Sequence, residues 1–274
     1  MKYTAMAKIR EFRVSDCEQL DYICANDGMT KTTWYTDWFD SPFYHKLCFE
    51  RNENKAEEFI HEIIKHLAPP SGSLVLDTAC RKGQFCKILA SLNFEVSGFD
   101  LSPDSVAWAK QFEHDRLHFF IHDMRLPFYS NYFDYAFNFY SGFGYYKTLR
   151  EHDAAIRTIA KSLKPGGCFV LDYLNVHYEE QHLVHNEIKV IKGTQYEIHR
   201  WDDDNHFYNR IIITDPSLIQ PQEFTEEIAK LSLGDFNDMF SYHGMQIHEV
   251  FGDHHLNPYD VKKTPRLILI ALKK

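Results

Sequence analysis

Apolar positions recur along the chain in two periods, and the periods divide it into elements. Leu74-Val75-Leu76 is a short apolar run closed by an acid, Asp77, and Phe94 to Phe99 is a second run closed by Asp100. Between them Phe85, Ile88, Leu89 and Leu92 fall at i, i+3, i+4 and i+7, the stripe of an amphipathic helix. Strand, turn, helix, strand over 73–100 is a βαβ unit, and its crossover is expected to be right-handed. In an open parallel sheet ligands bind at the carboxyl ends of the strands. Asp77, the 78–83 turn and Asp100 all fall there.

The same reading extends in both directions. Ala56, Phe59, Ile60, Ile63, Ile64 and Leu67 form a helical stripe stopped by Pro69-Pro70. Ser102-Pro103 reads as N-cap and first helical residue. His118–Ile121 and Phe133–Tyr140 read as strands, and Ile156, Ile159, Ala160 and Leu163 as a helix. Lys164-Pro165-Gly166-Gly167 is expected to turn into a fifth strand, Cys168–Asn175. From about 187 to 232 the period becomes two, which predicts an antiparallel hairpin or meander. Phe236–Tyr242 then reads as a helix with Gly244 just past its end, and Gln246–Phe251 and Leu267–Leu272 as the last strands.

Composition narrows the classes. The 274 residues are 44% hydrophobic and 25% charged, ordinary for a globular chain. Aromatic content of 15% suggests aromatic-lined pockets. The net charge of −9 disfavours a nucleic-acid surface. The six cysteines show no C-x-x-C pair, and Cys80 and Cys86 read as buried apolar groups. The opening MKYTAMAKIREF has no apolar signal-like core and no run reaches membrane-span length, so a cytoplasmic protein is expected. Residues 1–33 read as an N-terminal extension, with a helix over Val14–Ile23 as the alternative, and 34–274 as the domain. Asp202-Asp203-Asp204 reads as a solvated turn. The pair His254-His255 diverges on an extended chain, so no metal site is expected.

The chemistry of the βαβ unit comes next. A carboxylate just past the second strand suits a vicinal ribose diol, because it accepts from both hydroxyls. A dinucleotide site wants G-x-G-x-x-G, and this turn holds only Gly83. A second acid, Asp77, favours a ligand with a cationic end over a pyrophosphate. This arrangement resembles the class I S-adenosylmethionine-dependent methyltransferases. Their first motif, acid-x-G-x-G-x-G, overlies Asp77-Thr78-Ala79-Cys80-Arg81-Lys82-Gly83, with Ala79 and Arg81 at two of the glycine places. Trp38-Phe39-Asp40-Ser41-Pro42-Phe43-Tyr44, Phe251-Gly252-Asp253 and the K-P-G-G turn are similar to bacterial small-molecule methyltransferase-like proteins.

The resemblance implies a seven-stranded Rossmann-like methyltransferase sheet, helices on both faces, and an antiparallel β insertion after the fifth strand. It implies S-adenosylmethionine as cofactor. Asp100 with Leu101 would meet the ribose, and Asp77, Ala79, Arg81 and Gly83 would form the turn. Asp123 would accept from the adenine amino group, and Met124 would pack on its ring. Tyr44 and His45 would reach in from a lid segment. An acceptor cavity is expected from Tyr140, Ser141, Tyr145, Asp172, Asn175, Asp253 and His254, with His254 or Asp172 as base and Tyr140 beside them. The implied function is methyl transfer to a small molecule. The alternative is a catalytically silent relative that binds a nucleoside-type ligand or a partner protein, because Arg81 replaces a glycine that lets backbone pass close to the nucleoside. The insertion is expected to offer a homodimer surface.

Overall fold

Seven strands form one sheet because the middle ones are apolar on both sides. The structure, a computed structural model, describes residues 34–49 and 53–274; the expected extension over 1–33 lies outside the described residues. The strands are β1 (Leu74–Thr78), β2 (Glu95–Asp100), β3 (Leu117–Ile121), β4 (Phe133–Asn138), β5 (Leu163–Leu174) and, after an insertion, β10 (Met245–Phe251) and β11 (Arg266–Lys273). Their order is β10-β11-β5-β4-β1-β2-β3. The first five are parallel, and β11 runs antiparallel between β5 and β10. In β1, Val75 to Thr78 are all buried, as expected of a strand covered on both faces.

Helices supply that cover. On one face α3 (Glu53–Leu67), α4 (Gln84–Ser91) and α5 (Pro103–Ala109) pack Phe59, Ile60, Ile63, Leu89, Ala90 and Val106 against Val75, Phe137 and Val170. On the other, α6 (Leu149–Ser162) and α8 (Leu233–Tyr242) pack Ile156, Ile159, Phe236 and Phe240 against Leu76, Ala136, Phe169 and Leu171. Capping fixes the starts. Thr148 with Glu151 and Ser232 with Asp235 form capping boxes, and Ser102 caps α5 ahead of Pro103.

Two local features differ from expectation. β5 begins at Leu163, so K-P-G-G lies inside the strand. Phe133 pairs with Leu163 and Tyr135 with Cys168, so residues 164–167 bulge out of the ladder with Gly166 at φ 76°. A further short helix, α7 (Val176–His182), follows β5.

The insertion is an antiparallel sheet, β6 (Asn186–Ile191), β7 (Thr194–Asp202), β8 (His206–Thr214) and β9 (Gln222–Ala229), in that order. The aromatic run near the start of the domain forms α1 (Trp34–Phe39) and α2 (Pro42–Phe49), and both pack on this sheet. Trp38 and Tyr44 share a buried cluster with Tyr196, Ile198, Ile211 and Ile213. Trp38 Nε1 donates to Glu226 Oε1 at 2.6 Å, and the Tyr196 hydroxyl to the Phe43 carbonyl at 3.0 Å. Among the described residues no helix is long and apolar enough to cross a membrane.

Candidate active site

The turn after β1 is built on left-handed backbone. Ala79, Arg81 and Gly83 have φ of 63°, 53° and 73°. Gly83 is required by packing: a Cβ there would come within 2.5 Å of the Phe119 ring. The Arg81 N–H donates to Asp100 Oδ2 at 2.8 Å, and the Ser102 N–H to Asp100 Oδ1 at 2.9 Å. The Asp100 carboxylate is thus held by one N–H per oxygen and keeps acceptor capacity on each. Burial pushes its pKa above the usual carboxylate range, against the pull of those two N–H groups.

Above this turn lies a cavity of about 730 Å³, counting its open mouth. Tyr44, Ala79, Arg81, Asp100, Leu101, Asp123 and Met124, all expected at the cofactor, line it. Asp77 and Gly83 do not. Asp77 is buried inside β1, where the Cys86 thiol donates to its Oδ2 at 3.2 Å, and burial raises it to about 7. His45 also lies outside the lining; burial, with Lys82 and Arg81 nearby, lowers it to about 4. Phe39, Phe99, Ser105, His122, Gly142 and Tyr146 also line the cavity, none of them assigned to the cofactor from the sequence. Phe39 and His122 adjoin expected residues, and Gly142 has a steric signal: a Cβ there would meet Ala79 Cβ at 2.9 Å.

The residues present fit an adenosyl sulfonium. Asp100 offers carboxylate oxygens to a diol, and buried Met124 offers a thioether to a ring. Asp123 stands at the wall, its carboxylate gripped by Arg125 through Nη2 at 2.6 Å and Nε at 3.1 Å. Phe39, Tyr44 and Tyr145 surround the cavity with π faces, a favourable setting for a cation. α1 is tied to the site: the Ser102 hydroxyl donates to Asp40 Oδ1, and the rings of Phe39 and Tyr145 stand edge to face at 5.2 Å.

A second, larger hollow of about 1,880 Å³, counting open solvent, lies between the central sheet and the insertion. Tyr44, Arg81 and Tyr145 line both cavities, so the two adjoin at these side chains. Of the expected acceptor residues, Tyr140, Ser141 and Tyr145 line the hollow, joined by Glu226 from β9 and Arg266 from β11. The expectation of one cavity ringed by all seven residues is corrected by four placements. Asp172 is fully buried behind the wall and His254 stacks on Phe59 at 4.4 Å. Asn175 donates from Nδ2 to the Asp260, Val261 and Thr264 carbonyls, which closes a loop. Asp253 accepts from the His255 and Asn257 N–H groups of its own turn.

Asp172 is the centre of the wall. Its Oδ1 receives Arg266 Nε at 2.8 Å, and its Oδ2 the Tyr140 N–H at 2.9 Å and His254 Nε2 at 3.1 Å. Its carbonyl accepts from the Ser141 N–H at 3.0 Å, and Arg266 also reaches Ser141 Oγ at 2.9 Å. Burial acts to raise Asp172, but Arg266 and His254 outweigh it and hold the acid below its ordinary value. An acid so held is a poor base. Burial, with Asp172 adding to it, pushes the Tyr140 phenol up to about 12, so it stays protonated near neutrality. Tyr140 and Ser141 both have left-handed φ, 52° and 53°, a strained elbow of the kind that collects at functional sites. Arg266 carries no sequence signal and is brought here only by the pairing of β11 with β5. Among the described residues no group of His, Cys, Asp and Glu has a metal-holding arrangement.

Residues 50–225 match the family described as a methyltransferase domain. No curated protein matches the chain. Solved structures with this fold include an S-adenosylmethionine-dependent methyltransferase from Clostridium acetobutylicum, at 16% identity and TM-score 0.70, with 84% of this chain and 96% of that one covered. An amino pentose methyltransferase from Micromonospora echinaspora, solved with S-adenosylmethionine bound, is 17% identical with TM-score 0.59, covering 98% of this chain and 100% of that one. A sugar N-methyltransferase from Streptoalloteichus is 13% identical with TM-score 0.64, covering 100% of this chain and 98% of that one.

Proposed function

We propose, for a chain that belongs to the class I S-adenosylmethionine-dependent methyltransferases, transfer of the cofactor's methyl group to a small-molecule acceptor held in the second hollow. One observation supports this reading: the cavity walled by Asp100, Asp123 and Met124 adjoins the larger hollow, with which it shares Tyr44, Arg81 and Tyr145. When bound, S-adenosylmethionine supplies a methyl group already activated on a sulfonium. The chain's contribution is then placement and exclusion of water. Asp100 holds the ribose, Asp123 and Met124 hold the adenine, and the Tyr140–Ser141 elbow forms the wall between the two ligands. A protein base is needed only if the acceptor must lose a proton before attack.

The acceptor hollow suits a compact polar molecule. Glu226 accepts from the Trp38 indole and from Asn209 Nδ2 at 2.8 Å, so a carboxylate faces the hollow on two neutral donors. That favours an acceptor carrying an amine, the chemistry named for the amino pentose and sugar relatives. The net charge of −9 fits a small-molecule acceptor better than a nucleic acid. The test incubates the full chain with methyl-labelled S-adenosylmethionine and paired panels of amino sugars and the corresponding hydroxyl sugars. Label transferred to amines is the expected result. Failure of S-adenosylmethionine to bind in calorimetry would overturn the reading, and label on hydroxyls alone would overturn the amine preference.

A further inference from the structure

The cofactor cavity is lined by two acids and one arginine. Asp100 and Asp123 line it, and among its lining residues the one lysine or arginine is Arg81. The backbone of Arg81 is tied to Asp100 at the end of β2, while its Nη2 donates to the Tyr140 carbonyl at 3.3 Å, past the end of β4. β1 lies between β2 and β4 in the sheet. The arginine therefore crosses the end of β1, from the ribose position to the wall of the second hollow. A nucleoside seated on Asp100, with its reactive carbon facing that hollow, must lay its amino-acid tail over the same turn.

Backbone energetics point the same way. An L-residue in the left-handed region is strained by its Cβ, where glycine is not. Arg81 holds φ 53° in that region. Such an outlier is a reason to look for a function that the side chain serves. A guanidinium fork matches a carboxylate in shape and charge better than any other side chain.

Resting on the methyltransferase reading, we propose that Arg81 recognises the α-carboxylate of the cofactor's methionine tail, a carboxylate anchor placed where the family's turn carries a glycine. Arg81 also lines the second hollow, so an anionic group on the acceptor is the other source of the same chemistry. Calorimetry without any acceptor separates the two.

The experiment titrates the full chain with S-adenosylmethionine and with its decarboxylated analogue, which lacks only that carboxylate. Wild type, Arg81→Gln and Arg81→Lys are compared, with urea melts to confirm that each is folded. The wild type should bind S-adenosylmethionine about tenfold or more tightly than the analogue, ~1.4 kcal/mol. Arg81→Gln should lose that preference or reverse it, since Asp100 and Asp123 favour the more cationic ligand. Arg81→Lys should keep part of it. Equal affinities in the wild type would overturn the proposal, as would a preference that survives in Arg81→Gln. Binding of neither ligand by the wild type would overturn the methyltransferase reading itself, an outcome distinct from binding without discrimination.

Discussion

The backbone N–H of Tyr140 donates to Asp172 Oδ2 at 2.9 Å, and this bond ties a strained elbow to a fully buried acid. The same carboxylate neutralises Arg266 and accepts from His254. Removing one partner of a buried ion pair costs about 3–5 kcal/mol. Arg266 keeps some contact with solvent, so Asp172→Asn is expected to lie near the lower end, about 3 kcal/mol in urea unfolding. The pH dependence has a definite sign. Asp172 is depressed in the folded chain, so its contribution is complete above the unfolded value of about 3.9 and is lost as pH falls toward the folded value. The gap between wild type and Asp172→Asn should therefore narrow below about pH 4.

Asp77 has the opposite sign. Burial raises it to about 7, against about 3.9 in the unfolded chain. The folded state keeps its proton across that window, so stability falls as pH rises through it and the penalty is complete above it. Asp77→Asn removes the titration and keeps the shape. Its stability should gain on that of the wild type between pH 5 and pH 8, by up to ~3 kcal/mol, read as a rising difference in melting temperature. Parallel melting curves over that range would show that Asp77 does not titrate there.

The strand ends were legible in the sequence because each parallel strand closes on a marked residue. Asp77 and Asp100 follow apolar runs, and Asp123 comes just after the third strand. The separate strands and the alternating segment were legible from period, and their assembly into one seven-stranded sheet with an insertion came from the family resemblance. What period does not encode is pairing across the chain. Trp38 and Glu226 are 188 residues apart, and Asp172 and Arg266 are 94 apart. Glu226 and Arg266 are held at the second hollow by these contacts. His254 and Asp172 were expected at the acceptor cavity as alternative bases; in the fold they hydrogen-bond to each other, and His254 stacks on Phe59 of α3. The role of Arg81 was open for a related reason. Its side chain course depends on the Tyr140 carbonyl, 59 positions away.

We further propose that the chain dimerises through β6. That strand pairs only with β7 among the described residues, so one edge is open. Ile188 and Val190 on it are 69% and 68% exposed, an apolar edge of the kind that proteins normally cover. An antiparallel copy centred on Ile188 would set Glu187 against the partner copy's lysine at position 189, and the reverse, which favours self-pairing. Sedimentation equilibrium should give a dimer for the wild type. Ile188→Lys sets like charges at the centre and should shift the equilibrium to monomer. A wild-type monomer at tens of micromolar would refute the interface.

Asp100 should account for the largest share of cofactor affinity carried by one side chain. Its carboxylate does two things at once. It accepts from the N–H groups of Arg81 and Ser102, which holds the β1 turn and the start of α5 at one separation. It also faces the cavity, where two hydroxyls of a ribose can share its oxygens. Hydrogen bonds to a charged group contribute about 1.5–3 kcal/mol each. Asp100→Ala removes both the diol acceptor and the link between the two N–H groups, and should weaken S-adenosylmethionine binding by ~3 kcal/mol or more, about a hundredfold. Asp100→Asn keeps one carbonyl oxygen for either N–H but has no charge and only one acceptor for the diol. It should fall between the two. The check on specificity is a ligand without the diol: 2′,3′-dideoxy S-adenosylmethionine should lose less affinity than S-adenosylmethionine on going from wild type to Asp100→Asn. If Asp100→Ala binds S-adenosylmethionine as tightly as the wild type in calorimetry, Asp100 serves the turn alone and the ribose is held elsewhere.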